Sequence, residues 1–193
     1  ANINLHELDV EMREAGLVMV RYADDSVVLC RSREEAHLAL ARMRAWVTAN
    51  GLTLHPDKTH LGDCRVDGQG FEFLGYRFEA GKRLVRKKSL MSLKDKIRAK
   101  TTRNEGNSIG YVIASLNPTL RGWYAYFQHA HRFTFPTIDG FVRRRLRAML
   151  RRQKHRPGQG RCLNDHKQWP NAFFADLGLF TMSNAHRLAR QSR

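Results

Sequence analysis

Cysteine is scarce in this 193-residue chain, acidic residues nearly vanish from its middle, and no long apolar run occurs. The three cysteines, Cys30, Cys64 and Cys162, are odd in number and form no CxxC or CxxH pair. That argues against a disulfide framework or a zinc module and favours a reducing, intracellular compartment. No stretch approaches the roughly 20 apolar residues that span a bilayer, and no signal-peptide pattern is present, so no membrane partner is expected. Residues 82–161 hold only 3 Asp and Glu against 21 Lys and Arg. Such a stretch repels itself unless a polyanion neutralises it, and nucleic acid is the expected partner. Residues 1–81 are mildly acidic, with 13 Asp and Glu against 9 Lys and Arg. The chain opens on Ala1, inside a helical pattern and without Met, and is expected to be a piece of a longer protein or a processed or truncated product.

What is present begins with Tyr22-Ala23-Asp24-Asp25, set between the apolar runs Leu17–Arg21 and Ser26–Cys30. The pattern predicts a β-hairpin carrying Asp24 and Asp25 at its tip. Adjacent carboxylates repel unless a cation lies beside them, and Mg²⁺ takes oxygen ligands of this kind together with substrate phosphates. Two such ions about 4 Å apart can stabilise the attacking and leaving oxygens of a phosphoryl displacement. Around the hairpin the spacing predicts a helix over 1–14, with Ile3, Leu5, Leu8 and Met12 inward. A second helix is predicted to start at a Ser32/Glu35 capping box, bury Ala36, Leu40, Met43 and Val47, and stop at Gly51. A strand is expected to run through Leu61, and Phe71–Phe78 reads as another hairpin, ending at Gly81-Lys82. Helices packed on an antiparallel sheet make this part α+β.

Beyond Lys82 the period becomes helical. Leu90, Leu93 and Ile97 mark one helix, and Ile109, Val112, Ile113 and Leu116 a second. Asn117-Pro118 is expected to cap and restart a third, with Leu120, Trp123, Tyr124 and Phe127 inward. These three aromatics read as core packing. Pro136 is expected to open a fourth helix that buries Ile138, Phe141, Val142, Leu146, Met149 and Leu150. On it Arg144, Arg147 and Arg151 form a basic stripe reinforced by Arg143, Arg145 and Arg152. Planar guanidinium forks suit phosphate oxygens and can stack on bases. The candidate RNA-binding residues are Lys87, Lys88, Lys94, Arg98, Arg121, Arg143, Arg144, Arg147, Arg151 and Arg152. Residues 153–168 read as a flexible basic linker. The nine histidines are scattered and suggest no metal site.

Tyr22-Ala23-Asp24-Asp25 between apolar strands resembles the catalytic hairpin of reverse transcriptases. Leu52-x-Leu54-x-Pro56-x-Lys58-Thr59 is similar to the segment that follows it in the enzymes of group II introns, and Phe73-Leu74-Gly75-Tyr76 to their primer grip. Ala1-Asn2-Ile3-x-Leu5-x-Glu7-Leu8-Asp9 resembles the helix before the hairpin. Asn117-Pro118-Thr119-Leu120-Arg121-Gly122-Trp123-Tyr124-x-Tyr126-Phe127 resembles the signature of the maturase domain, or thumb, and Trp169-Pro170-Asn171-Ala172-Phe173-Phe174-Ala175-x-x-Gly178-Leu179 its closing motif. The order of these motifs matches the family.

The resemblance implies a partial polymerase palm over 1–81 and a helical thumb/maturase domain over 82–193. It implies that Asp24 ligates metal with Asp25 beside it, that Mg²⁺ completes the active site, and that Lys58 assists the departing pyrophosphate. Tyr22 and Ala23 would lie near the primer end or incoming nucleotide, and Phe73, Leu74, Gly75 and Tyr76 in the grip. The implied partners are group II intron RNA, whose splicing it would assist, and a DNA primer or target for the full-length protein, in a bacterial cytoplasm. The family's further palm Asp and its fingers lie upstream of Ala1, so this chain alone is not expected to polymerise DNA. Neither is a C-terminal endonuclease expected. Alternatives are an RNA-binding splicing cofactor with a scaffold palm, and a CRISPR- or defence-associated reverse transcriptase.

Overall fold

A computed structural model describes residues 5–102 and 106–191. The first elements are α1 (His6–Glu14), β1 (Val18–Tyr22), β2 (Asp25–Leu29) and α2 (Arg33–Ala49). Three short strands follow, β3 (Phe71–Phe73), β4 (Tyr76–Glu79) and β5 (Lys82–Val85). The remainder is helical: α3 (Lys87–Lys100), α4 (Ile109–Phe127), α5 (Thr134–Gln153), α6 (Leu163–Gln168), α7 (Asn171–Asp176) and α8 (Met182–Gln191). The class is therefore α+β, an antiparallel part with helices followed by a helical part. Two compact units make up the chain: 1–74 with 78–81, and 75–77 with 82–193.

In the first unit, β1 and β2 pair antiparallel from Val18↔Leu29 to Tyr22↔Asp25. One face of the hairpin packs on α1 and α2, where Leu8, Met12, Ala39, Met43 and Val47 form the core with Met19 and Val28 against it. Alternation along β1 explains this, because Met19 and Arg21 point one way and Val18, Val20 and Tyr22 the other. On α2 Met43 and Val47 are buried as expected, while in the first turns Ala39 is buried and Ala36 and Leu40 only half-buried. Ile3 lies outside the described residues. The cap is as expected, with Ser32 Oγ accepting from Glu35 N at 3.1 Å. Glu35 reaches back to Arg31 N at 2.5 Å rather than to Ser32 N. Gly51, at φ +69°, closes the helix with Leu52 N donating to Val47 O at 2.9 Å and Gly51 N to Thr48 O at 3.1 Å. The expected strand through Leu61 does not form. Residues 52–70 are turns and irregular chain, and Pro56, which cannot donate to a ladder, sits in a turn closed by Lys58 N on His55 O at 3.2 Å.

β3, β4 and β5 form a three-stranded sheet in that order. Its two turns, Leu74-Gly75 and Ala80-Gly81, have positive φ at both central residues, the pattern that suits right-twisted hairpins.

The second unit is built around Leu116, Leu120, Phe135, Ile138, Leu146 and Phe174. Leu93 and Ile97 of α3 join this core, and Trp123 and Tyr124 pack against it. The expected restart at Asn117-Pro118 is corrected: α4 runs unbroken with Pro118 inside it. Pro118 leaves Ala114 O without its helical donor, but Ala114 is exposed and water can serve it. Asn117 is used elsewhere, as its Nδ2 donates to Gly178 O and its Oδ1 accepts from Phe180 N, both at 2.8 Å. Buried Asp139 accepts from Met182 N at 3.0 Å and from Ser183 N at 2.9 Å, which satisfies the start of α8.

The segment 153–168, expected to be a flexible linker, is tied to α5. Asp165, 3 % exposed, takes a 2.6 Å ion pair from Arg151. A Cβ on Gly160 would stand 2.7 Å from Ala148 N and from Arg144 O, so only glycine permits this approach to the α5 backbone.

Candidate active site and nucleic-acid interface

The β1–β2 turn contains only Ala23 and Asp24, between the paired residues Tyr22 and Asp25. Ala23 has φ +56° without being glycine, a conformation that costs about 1 kcal/mol or more. Arg21 holds it. Its Nη1 donates to Ala23 O at 2.8 Å, while Nε and Nη2 reach the two carboxylate oxygens of Asp9 at 2.8 and 2.5 Å. The hydrogen bond from Arg21 is the main reason the Asp9 carboxyl lies below its ordinary value, and Asp9 in turn raises the Arg21 guanidinium. Helix α1 thus fixes the strained turn through one bidentate pair. Asp9 and Arg21 are absent from the candidate residues read from sequence. The available signal was Arg21 itself, a charge on the inward-facing side of β1.

Asp24 and Asp25 are exposed side by side at this tip, with Tyr22 66 % exposed beside them. Two carboxylates are a hard oxygen donor set that fits Mg²⁺. Among the described residues no group of three Asp, Glu, His or Cys gathers, so these two supply part of a coordination shell. An open hollow of about 980 Å³ lies on the α1–β1 side, lined by His6, Asp9, Arg13, Arg21, Tyr22 and Ala23 among others. Asp24 and Asp25 do not line it, so the chemistry is better located by the carboxylates than by the cavity. Lys58 is exposed in the turn after His55.

At the second hairpin, Phe73 and Leu74 belong to the first unit and Gly75 and Tyr76 to the second. Gly75 has φ +79°, and a Cβ there would come within 3.2 Å of Phe127 Cζ. Its carbonyl accepts from Arg86 N at 2.9 Å. Tyr76 donates its hydroxyl to Tyr126 O at 2.6 Å, and burial pushes its phenol up.

The expected basic stripe on α5 divides into internal struts and outward cations. Arg147 is a correction: it is only 2 % exposed, with Nε donating to Trp169 O and Nη2 to Asn171 Oδ1, both at 2.9 Å. Burial lowers its pKa, and its guanidinium lies over the Phe174 ring. Arg151 is likewise engaged, donating to Pro157 O at 2.9 Å and to Asp165 at 2.6 Å. Arg145 serves the C-terminus of α3, donating Nε to Thr101 Oγ1 at 2.9 Å and Nη2 to Thr101 O at 2.7 Å. The reason is that residues 146–150 are all buried, so α6, α7 and the segment between α5 and α6 cover this end of the helix.

Other cations remain available. Lys94 Nζ, Arg98 Cζ and Arg144 Cζ stand 5.8, 5.5 and 5.2 Å from the centre of the Phe141 ring. Burial, then the charges of Arg161 and Arg98, depress Arg144 below the usual guanidinium value. Asp95 pairs with Arg98 at 2.5 Å, which still leaves the cluster net positive. Lys87, Lys88, Arg121 and Arg152 are exposed and Arg143 half-buried. Between α3 and α4 a cleft of about 540 Å³ is lined by Arg86, Lys88, Lys96, Ser89, Gly122 and Trp123, among others. Among the described residues no helix is long and apolar enough to cross a membrane.

The class the structure defines is an α+β unit with an acidic hairpin followed by a cation-rich helical unit. Residues 1–78 match the family of reverse transcriptases (RNA-dependent DNA polymerases), and residues 90–169 match the group II intron maturase-specific domain. No curated protein matches the chain significantly. The chain belongs to the group II intron reverse transcriptase/maturase family. That family implies use of a divalent metal and binding of intron RNA.

Proposed function

We propose that this chain binds group II intron RNA through the cations of its helical unit and so assists splicing, and that in the full-length protein Asp24 and Asp25 serve RNA-directed DNA synthesis. Residues 1–81 would form the palm part and 82–193 the thumb/maturase part. The observation that carries the RNA reading is the convergence of Lys94, Arg98 and Arg144 on one phenyl ring. Three like charges held together gain from a phosphate that neutralises them, and phosphate contacts of this kind are insensitive to sequence and sensitive to salt. Lys87, Lys88, Arg121, Arg143 and Arg152 would extend the contact.

On the acidic hairpin, Asp24 and Asp25 would hold Mg²⁺, which supplies stabilisation of the attacking and leaving oxygens. Arg21 and Asp9 keep the turn that presents both carboxylates. Tyr22 and Ala23 would border the primer end or incoming nucleotide, Lys58 would meet the departing pyrophosphate, and Phe73 to Tyr76 would form the grip on a DNA primer. A second reading, a splicing cofactor whose palm is scaffold, is favoured by the lack of a third metal-ligating side chain among the described residues.

The test is the dissociation constant of the 193-residue chain for intron RNA across salt concentrations. Lys94→Gln/Arg98→Gln/Arg144→Gln should weaken binding and reduce the log–log salt slope by about 2 to 3. An unchanged constant and slope would overturn the assignment.

A further inference from the structure

The elbow between α4 and α5 carries large rings in solvent where a core would want them hidden. Phe133 is 65 % exposed and Tyr126 56 % exposed. Both have protein neighbours that fix their rings. Tyr126 stacks on Tyr76 with ring centres 6.3 Å apart and planes within 19°. Phe133 has the Arg132 guanidinium 5.1 Å from its centre and the His131 ring at 5.1 Å. Arg83 connects their surroundings, Tyr76 on one side and the backbone of His129 and His131 on the other. Its Cζ lies 5.7 Å from the Tyr76 ring centre, its Nε donates to His129 O at 2.6 Å, and its carbonyl accepts from His131 N at 2.7 Å. The result is two groups of rings and guanidinium groups, Tyr126–Tyr76–Arg83 and His131–Phe133–Arg132, joined by hydrogen bonds to backbone. Residues 106–138 contain no Asp or Glu, and Arg83 and Arg132 place positive charge beside the rings.

We propose that Tyr126 and Phe133 are a stacking platform for unpaired nucleobases of a single-stranded RNA segment, with Arg83 and Arg132 meeting its phosphates. This deepens the RNA-binding reading and rests on it. Duplex phosphates need only cations, whereas exposed aromatic faces interleaved with arginines suit bases that are free to splay out. A basic patch alone would not require Phe133 in solvent.

The experiment uses the 193-residue chain with a single-stranded RNA oligonucleotide carrying 2-aminopurine and with a fully paired RNA duplex. Expected for the unaltered chain are tight binding of both and a change in 2-aminopurine fluorescence on binding the single strand. Tyr126→Ala/Phe133→Ala should lose about tenfold or more in affinity for the single strand, together with the fluorescence change, and keep its affinity for the duplex. Phe133→Trp should retain both signals, and circular dichroism should match throughout. Unchanged single-strand affinity in the double variant, or equal loss on both RNAs, overturns the platform while leaving RNA binding in place. Failure of the unaltered chain to bind either RNA overturns the underlying reading as well.

Discussion

Asn117, in the middle of α4, accepts the backbone N–H of Phe180 at 2.8 Å and so anchors the chain that follows α7. The same side chain donates to Gly178 O at 2.8 Å. Its amide thus serves one carbonyl and one N–H of that distant segment. Phe180 in turn lies against Tyr124, with ring centres 5.9 Å apart, and under Arg121. Asn117→Ala should lower unfolding free energy by about 1–3 kcal/mol, because two backbone groups lose their partner together. Urea denaturation measures this, and Asn117→Asp, which keeps only the acceptor, should fall between the two.

A second prediction separates strut from contact on α5. Arg147→Gln should cost about 2–4 kcal/mol of stability, since it strands Trp169 O and Asn171 in a buried setting. Arg152→Gln, on the exposed side, should change stability by less than about 0.5 kcal/mol. Thermal melts test both. A stable Arg147→Gln protein with selectively weakened RNA binding would contradict the internal role.

These two residues also mark the boundary of what sequence alone could reveal. Periodicity located α1, α2, α3 and α5 and two hairpins, because burial of one face imposes countable spacing, but it divided α4 in two and did not single out α8. It placed Asp24 and Asp25 at a turn for the same reason. What it missed depends on partners distant in the chain. Arg147 looks identical to Arg144 in a heptad count, yet one is covered by Trp169 and Asn171 and the other lies over Phe141. Asn117-Pro118 carries the local signature of a helix start, but the distant Gly178–Phe180 segment takes its side chain. Asp9 is one acid among several on α1 until Arg21 is set opposite it.

That pair makes a pH prediction. The Asp9 carboxyl is depressed in the folded chain by the hydrogen bond from Arg21. A depressed carboxylate contributes stability above its unfolded value, about 3.9, and loses it as pH falls through the lower folded value. Asp9 is 23 % exposed, so solvent screening keeps the effect modest. Asp9→Asn should cost about 1 kcal/mol at neutral pH. Urea denaturation at stepped pH should show the gap from the unaltered chain closing below about pH 4. A gap that stayed constant to pH 2 would mean that the pair contributes by shape and not by charge.

The acidic tip makes the last prediction. Asp24 and Asp25 face solvent, and among the described residues no third ligating side chain joins them. Two carboxylates on one turn should hold Mg²⁺ or Mn²⁺ weakly, with a dissociation constant of about a millimolar. Water-proton relaxation with Mn²⁺ can measure it, and Asp24→Asn/Asp25→Asn should abolish the enhancement. Because orientation of the reacting groups supplies much of such catalysis, a partial shell should not extend a primer detectably. Primer extension by the purified 193-residue chain, lost on Asp24→Ala, would instead establish that a complete polymerase site assembles from these residues.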